Sequence, residues 1–282
     1  MSWKAGNRGS GPRLVDWLKN DEWRHVAFSS RLKATGGPSG FGRIADGRLW
    51  IREGEKGIDG AVFASRYGVI LPVYGEGGRD GSESAFLTRL LSSREDRLFS
   101  VIGMEDRVRD VEGRLKRSAR DSESYRMLTL GEPSPGTGGS LELQVRKARE
   151  SDFELLWPLE KGYQIEEVLR KGSLLNERFA RKRFLEALRD HVVYCAVRDG
   201  TAVAKAQTNA RGWTFEQIGG VYVPPGFRGK GFAAAVMEGL TSDILSRGLG
   251  ACLFVKDANV PALRLYEKTG FRDRGAFRIA YY

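Results

Sequence analysis

The residues with the clearest chemical meaning form a basic, glycine-rich stretch between an apolar segment and a helix-forming one. Val221-Tyr222-Val223 has strand propensity and ends at Pro224-Pro225, which cannot continue a hydrogen-bonded ladder. Arg228-Gly229-Lys230-Gly231 follows, and Ala233 then opens a run of good helix formers. N–H groups in a first helical turn lack intrahelical partners, and the helix dipole adds partial positive charge there. This order of strand, loop and helix predicts an anion site, most often for phosphate.

Two familiar phosphate loops do not fit this stretch. The P-loop needs four residues between its first glycine and a Gly-Lys pair, then Ser or Thr, but Gly226 lies too near Gly229-Lys230 and Gly231 follows. The dinucleotide fingerprint matches loosely through Gly229, Gly231 and Ala234. That fold needs several further strands, however, and only 25 residues remain after Asp257.

A third pattern, Arg or Gln followed by x-x-Gly-x-Gly/Ala, is matched in full by Arg228-Gly229-Lys230-Gly231-Phe232-Ala233. This is the pyrophosphate loop of the GNAT superfamily of N-acyltransferases, which the end of the chain closely resembles. The resemblance implies that acetyl-CoA is a co-substrate, with its pyrophosphate on the backbone N–H groups of Phe227, Gly229, Gly231 and Ala233. Arg228 and Lys230 would add charge or simply be solvated. The loop's Phe232 is included in the expected donor site.

The resemblance also implies a role for the strand before the loop. Val221, Tyr222 and Val223 would splay away from the next parallel strand, Leu253 to Val255, because the loop follows them. Their opened backbone would pair with the pantetheine arm and polarise the thioester carbonyl.

A second stretch strengthens the resemblance. Asn259-Val260-Pro261-Ala262-Leu263-Arg264-Leu265-Tyr266-Glu267-Lys268-Thr269-Gly270-Phe271 matches the family signature Asn-x-x-Ala-x-x-Leu-Tyr-x-x-x-Gly-Phe residue for residue. Asn259 would cap a helix and contact pantetheine, and Ala262 belongs to the same donor site. Tyr266 would place its hydroxyl near the sulfur and protonate the leaving thiolate. Without this context, Tyr266 would be an ordinary core aromatic.

The sequence does not identify the general base that would deprotonate the amine. Relatives that have one often carry a Glu on the strand before the loop, where this chain has Gln217. Glu216 is adjacent but should point to the other face, unless a bulge at Gly219-Gly220 resets the alternation. Glu216 is therefore a candidate, and a water relay or an already deprotonated amine are the alternatives. Tyr222, Glu160 and Tyr163 are candidates to line the acceptor side.

The sequence assigns a fold to the second half of the chain more specifically than to the first. Residues 141–282 have the element order of a GNAT fold, which is an α/β class with a mixed sheet. Its predicted helices include one from Ser151 to about Leu159 and another over Glu166 to Arg170. The Gly/Pro-rich segment 131–140 is the predicted linker. Residues 1–130 are predicted as an α/β domain that is either a degenerate second GNAT-like module, since it lacks the Arg-x-x-Gly-x-Gly pattern, or an unrelated cap.

Composition and charge limit the kinds of binding partner that we expect for this protein. The formal charge of +10 is spread over both halves with no dominant Lys/Arg run, so we expect no nucleic-acid partner. No apolar run reaches 18 residues, which argues against a membrane span. Cys195 and Cys252 lie in apolar strand-like runs and are predicted to be buried thiols of a cytoplasmic protein. The two histidines are far apart, so no metal site is expected.

The leading hypothesis is an acetyl-CoA-dependent N-acetyltransferase acting on a primary amine of a small molecule or protein, by direct attack in a ternary complex. A non-catalytic CoA-binding or regulatory module is the alternative. A third hypothesis is transfer from a longer acyl-CoA or an aminoacyl donor. The sequence leaves the acceptor open, as well as the choice between monomer and homodimer.

Overall fold

The computed structural model describes residues 2–36, 47–55, 57–74, 81–132, 143–169 and 172–282. The chain divides into two compact units. Unit 1 comprises Met1–Leu128, Phe254–Asn259 and Asp273–Tyr282, and unit 2 comprises Thr129–Leu253 and Val260–Arg272. Two C-terminal segments thus cluster with unit 1, whereas the predicted domain boundaries kept 141–282 together. Those boundaries stay a prediction, and residues 133–140 of the predicted linker lie outside the described residues.

Both halves of the chain run through the same order of elements. In the first half this order is β1 Ser2–Ala5, α1 Gly11–Lys19, α2 Val26–Ala34, β2 Gly47–Gly54, β3 Gly57–Ser65, β4 Val69–Tyr74, α3 Gly81–Ser92, β5 Ser100–Met104, α4 Glu105–Glu112 and β6 Asp121–Leu130. In the second half it is β7 Gln144–Lys147, α5 Phe153–Tyr163, α6 Glu177–Asp190, β8 Val193–Arg198, β9 Thr201–Arg211, β10 Phe215–Tyr222, α7 Phe232–Ser246, β11 Gly250–Lys256, α8 Val260–Lys268 and β12 Arg272–Tyr281. The chain is therefore an internal repeat at the level of its fold.

Unit 1 is a mixed sheet with helices on both faces. Its strand order is β1-β2-β3-β4-β5-β12-β6, and β4 and β5 are parallel. Because side chains alternate along a strand, β3 contributes side chains to the cores on both faces of the sheet. Phe63 packs edge-on against Phe28 of α2, while Val62 and Ala64 join a core that includes Leu87 and other residues of α3.

Unit 2 has the strand order β11-β10-β9-β8-β7, with β10 and β11 parallel. One face carries α5 and α6, whose Leu156, Trp157 and Phe184 form a core with Cys195 of β8. The opposite helix, α7, buries Val236, Leu240 and other residues of its apolar stripe. Cys195 and Cys252 are both buried, as predicted.

Candidate functional site

Strand β10 loses its parallel partner halfway along its length. Its register with β11 comprises three residue pairs and ends at Gln217–Cys252, although β10 continues to Tyr222. On its other side the pairing with β9 shifts between Gly219 and Tyr222, and Gly220 has a φ of 58°. An irregularity at Gly219-Gly220, which the sequence left open, is therefore present. Beyond Gln217, the edge of β10 that faces away from β9 is left for a strand-like ligand.

The loop after β10 gathers backbone N–H groups at the start of α7. Gly229 and Gly231 have φ values of 75° and 82°, a region that strains residues with a side chain. A Cβ atom at Gly229 would have open space, so the backbone conformation alone requires glycine there. Within the described residues, no protein acceptor meets the N–H groups of Gly229, Gly231 or Ala233. The N–H of Phe227, by contrast, donates to the Pro224 carbonyl at 2.9 Å, so this predicted pyrophosphate donor is engaged in a turn.

The two basic side chains of the loop brace it. Arg228 donates from Nε to the carbonyl of Val223 at 2.9 Å and from Nη2 to Glu166 at 2.5 Å. Lys230 donates to the Gly226 carbonyl at 3.0 Å, with its Nζ 5.5 Å from the centre of the Phe227 ring. The hydrogen bond from Arg228 to Glu166 is the main cause that raises the pKa of Arg228. Both cations thus lie at the loop, held by groups that a phosphate could replace.

A π-helical turn at Gln164–Val168 brings an unpredicted residue to this place. Helix α5 runs to Tyr163, with Pro158 inside it, and continues directly into the turn. The prediction of a helix ending near Leu159 and a separate one from Glu166 was wrong. The Tyr222 hydroxyl donates to Glu166 Oε1 at 2.5 Å, and burial together with this bond raises the pKa of Tyr222 to about 12. Glu166 therefore links the end of β10 to the loop cation Arg228.

Room for Tyr222 is provided by a glycine on α5. A Cβ atom at Gly162 would lie 2.4 Å from the Tyr222 hydroxyl oxygen, so a larger residue would displace the ring. This contact and the hydrogen bond with Glu166 place Tyr222 on the α5 face of the sheet, where Tyr163 also lies.

Tyr266 of α8 is buried beside these groups. Its ring lies 5.8 Å from that of Phe271, and within the described part of the chain no protein group accepts from or donates to its hydroxyl. Burial, and then the nearby Tyr163 and Glu167, raise the pKa of Tyr266. A tyrosine in this state is protonated at neutral pH and keeps its proton available for a ligand.

A buried ion pair supports the irregular part of β10. Lys205 of β9 is fully buried, and its Nζ lies 2.7 Å from Glu160 Oε2 and 2.9 Å from the Gly220 carbonyl oxygen, to which it donates. Burial raises the pKa of the Tyr163 hydroxyl to about 12, and the backbone of Gly220 opposes this shift. Burial lowers the pKa of Lys205, and the Glu160 carboxylate opposes this shift. Gly220 is therefore held through its carbonyl oxygen by the buried Lys205 side chain, a contact that the sequence does not show.

Glu216 lies away from this cluster. Its carboxylate, 1% exposed, accepts both guanidinium N–H groups of Arg247 at 2.7 and 2.8 Å and the Nε–H of Arg211 at 2.8 Å. Burial would raise the pKa of Glu216, but the hydrogen bonds from these arginines hold it below its usual value. Arg247 follows α7, so Glu216 points to the α7 face, opposite to Tyr222 and Tyr163. Gln217 is bonded to Asn209 instead, with Nε2 donating to Oδ1 at 2.7 Å.

The second signature is divided between the units. Asn259 lies at the end of a segment that clusters with unit 1 and directly precedes α8, while Ala262 and Tyr266 lie on α8 in unit 2. Within unit 2, the structure brings together the end of β10, the glycine loop and the buried tyrosines of α5 and α8.

In unit 2, β10 parts from its parallel neighbour β11, and a glycine loop and the start of α7 follow, which is the arrangement that the resemblance to the GNAT superfamily implies. Residues 153–271 match the acetyltransferase (GNAT) family model. This part of the chain, which contains the glycine loop, Glu160, Lys205 and Tyr266, is a GNAT acetyltransferase domain.

Solved structures extend the fold assignment to the whole chain. A GCN5-related N-acetyltransferase from Sphaerobacter thermophilus is 14% identical, with a TM-score of 0.60 over 99% of this chain and 94% of that one. One from Kribbella flavida is 13% identical, with a TM-score of 0.57 over 92% and 95%. A tandem GNAT protein from the clavulanic acid biosynthesis pathway is 12% identical, with a TM-score of 0.57 over 99% and 98%. The prediction of a second GNAT-like module in the N-terminal half is confirmed at the level of the fold.

Neither a curated relative nor, in the part of the chain that the structure describes, a membrane-spanning helix is found. The curated proteins give no match to the chain. Among the described residues, no helix combines the length and apolar character that a membrane span requires.

Proposed function

We propose that unit 2 transfers an acetyl group from acetyl-CoA to a primary amine by direct attack in a ternary complex. The observation that carries this proposal is the coincidence of three features at one point of a GNAT domain. The β10–β11 register ends at Gln217–Cys252, the loop that follows has unengaged backbone N–H groups at Gly229 and Gly231, and a buried tyrosine with an unengaged hydroxyl belongs to the same unit.

The donor is held mainly by backbone. The N–H groups of Gly229, Gly231 and Ala233, with the positive end of the α7 dipole, suit a pyrophosphate. Arg228 and Lys230 would turn from their present acceptors to the phosphates, which are stronger acceptors for a guanidinium or ammonium group. The amides of pantetheine would pair with the open edge of β10 at Val221 to Val223, as a short added strand.

The reaction then needs two proton movements. The neutral amine attacks the thioester carbonyl carbon, the C–N bond forms and the C–S bond breaks. Tyr266 gives its proton to the leaving thiolate, because its buried hydroxyl is uncommitted and remains protonated at neutral pH. The ammonium group formed by the attack loses its proton to water, and a proton from solvent restores the Tyr266 hydroxyl. We assign no base role to Glu216, since two arginines hold its carboxylate on the other face of the sheet.

The test is turnover with a panel of amines and acyl-CoAs, comparing the parent with Tyr266→Phe. We expect kcat to fall by about a hundredfold or more, the usual contribution of a general acid, while the Kd for acetyl-CoA changes less than twofold. Tyr194→Phe, whose hydroxyl lies near Asp243 of α7, is the matched control and should leave both values unchanged. Acetyl-CoA binding without turnover of any amine would instead support the non-catalytic CoA-binding module.

A further inference from the structure

Unit 1 contains a cleft of about 790 Å³ lined by four arginines. They come from separate parts of the chain: Arg48 lies near the start of β2, Arg66 just after β3, and Arg94 and Arg97 between α3 and β5. Asp96 is the acidic residue among the lining groups. The described lining of the cleft therefore holds four arginines and one acidic residue.

Three of these cations differ from other arginines of the same unit in having no carboxylate partner among the described side chains. Arg52, Arg109 and Arg114 each pair with a carboxylate at 2.6 to 2.9 Å. Among the side chains that the structure describes, no carboxylate lies within 4.0 Å of the guanidinium groups of Arg48, Arg94 or Arg97. Arg94 instead lies over the Trp50 ring at 5.1 Å, and Arg66 donates to the Tyr67 hydroxyl at 2.5 Å.

The arginines also act on one another. Partial burial, and then the charges of Arg48 and Arg97, lower the pKa of Arg94. Like charges held together in a concave surface focus a positive potential, which attracts and is relieved by an anion. The geometry thus carries an electrostatic cost that a bound anion would offset.

The cleft is not unit 1's counterpart of the glycine loop. In unit 2 the loop follows the C-terminal end of β10 and leads into α7. The cleft lies at the opposite ends of the corresponding elements: it is lined by Ile70 near the start of β4 and by the segment after α3 that leads to β5. A site here is therefore additional to any donor site in the repeat.

We propose that this cleft binds a small molecule carrying two or more adjacent phosphate groups. Guanidinium groups bind phosphate oxygens in pairs with strong charge-assisted hydrogen bonds. A lone phosphate group, with a charge of about −1.5 to −2, would not balance the lining. The volume lies within the range of about 300–1,000 Å³ that small-molecule sites occupy, so it suits a nucleotide-sized compound. This proposal does not depend on acetyl transfer by unit 2.

The test is calorimetric titration of the full chain at low ionic strength with inorganic pyrophosphate, ATP and inorganic phosphate. We expect pyrophosphate and ATP to bind at least tenfold more tightly than phosphate. The double variant Arg48→Met/Arg97→Met should weaken both at least tenfold, and Arg109→Met, an exposed paired arginine of the same unit, should change them less than twofold. The double variant should melt at the same temperature as the parent or higher, since it relieves repulsion, which separates lost binding from lost folding.

Two further arms use the glycine loop and a polymer. In Gly229→Val/Gly231→Val, ATP binding should persist, because the cleft is elsewhere. Loss of binding in this variant, with retention in the arginine variant, would overturn the proposal by placing the phosphates on the loop. It is likewise overturned if neither ATP nor pyrophosphate binds the parent, or if a single-stranded RNA oligonucleotide alone binds.

Discussion

The glycine loop of unit 2 and the arginine cleft of unit 1 are two different ways of making a protein surface positive. The loop uses backbone N–H groups fixed by two glycines with positive φ, and its two cations are already bonded to protein acceptors. The cleft uses guanidinium side chains from three places in the sequence, and most of them meet no carboxylate among the described residues.

This difference explains what each surface tolerates. A backbone site depends on local conformation and on the elements that hold it, so it is sensitive to changes in glycine and in the buried network behind β10. A side-chain site depends on charge, so it is sensitive to the loss of an arginine and to salt, while the fold around it should be indifferent. The predictions below separate these two modes of construction.

Loss of a cation should destabilise unit 2 but not unit 1. Lys205→Met leaves the Glu160 carboxylate buried without its partner, and breaking such a pair costs about 3–5 kcal/mol in the free energy of unfolding. Arg97→Met in the cleft should not destabilise. Urea denaturation measures both.

The double variant Glu160→Gln/Lys205→Met controls for this result. Because it removes both charges, it should recover much of the lost stability. If the single lysine variant is as stable as the parent, the buried pair does not support the bulge at Gly220.

Replacing the loop glycines should abolish donor binding. In Gly229→Val/Gly231→Val, both new side chains enter a left-handed conformation that costs about 1–2 kcal/mol per residue, so the loop rearranges and its N–H groups lose their alignment. We expect the Kd for acetyl-CoA to rise about a hundredfold or more, as measured by calorimetry. Gly226→Ala, where the added methyl meets open space, is the matched control and should bind normally.

Glu216→Gln should affect stability but not chemistry. The amide keeps part of the contact with Arg247 and Arg211 but loses the charge, which we expect to cost about 1–2 kcal/mol. Because the folded-state pKa is lowered, the carboxylate's contribution is present above its unfolded value of about 4.3 and is lost as pH falls through the lower folded value. Denaturation from pH 7 to pH 3 should show a shallower acid loss in the variant.

The kinetic part of the same experiment tests the base assignment. The pH profile of kcat should be unchanged in Glu216→Gln. A loss of about a hundredfold in kcat would identify Glu216 as the base and contradict its assignment to the ion cluster.

The smallest effect should be a gain. Glu166 competes with the ligand for Arg228, and exposed ion pairs are worth about 0.2–1 kcal/mol, so Glu166→Gln should tighten acetyl-CoA binding by up to about fivefold. Glu154→Gln, which removes the exposed partner of Arg181, should not change the affinity. A weakened affinity in Glu166→Gln would mean that the carboxylate helps to form the site.

Features built from contiguous residues, such as the glycine loop, could be predicted from the sequence, whereas features built from distant segments could not. The glycine loop and the stretch from Asn259 to Phe271 are contiguous, so residue spacing alone locates the elements around them. The repeated element order was partly visible, since turn signals and periodicity recur in the first half. The N–H of Phe227 was assigned to the ligand because spacing does not show that the Pro225–Phe227 turn engages it.

Other features arise from contacts between distant segments. The π-helical turn that places Glu166 has no local signal, and α5 runs on through Pro158 to Tyr163. For Lys205 the sequence offers one signal: it is a lone cation at an inward position of the apolar run Ala202 to Ala206. The arginine cleft could not be foreseen, because net charge is spread evenly along the chain and only the fold collects these residues.

The most direct measurement is calorimetric titration of the full chain with acetyl-CoA, in parallel with Gly229→Val/Gly231→Val and Arg48→Met/Arg97→Met. Our account predicts one tight site per chain, which is lost in the glycine variant and kept in the arginine variant. Absence of binding in the parent, or binding that survives the glycine variant, would contradict the assignment of the donor site to the loop between β10 and α7.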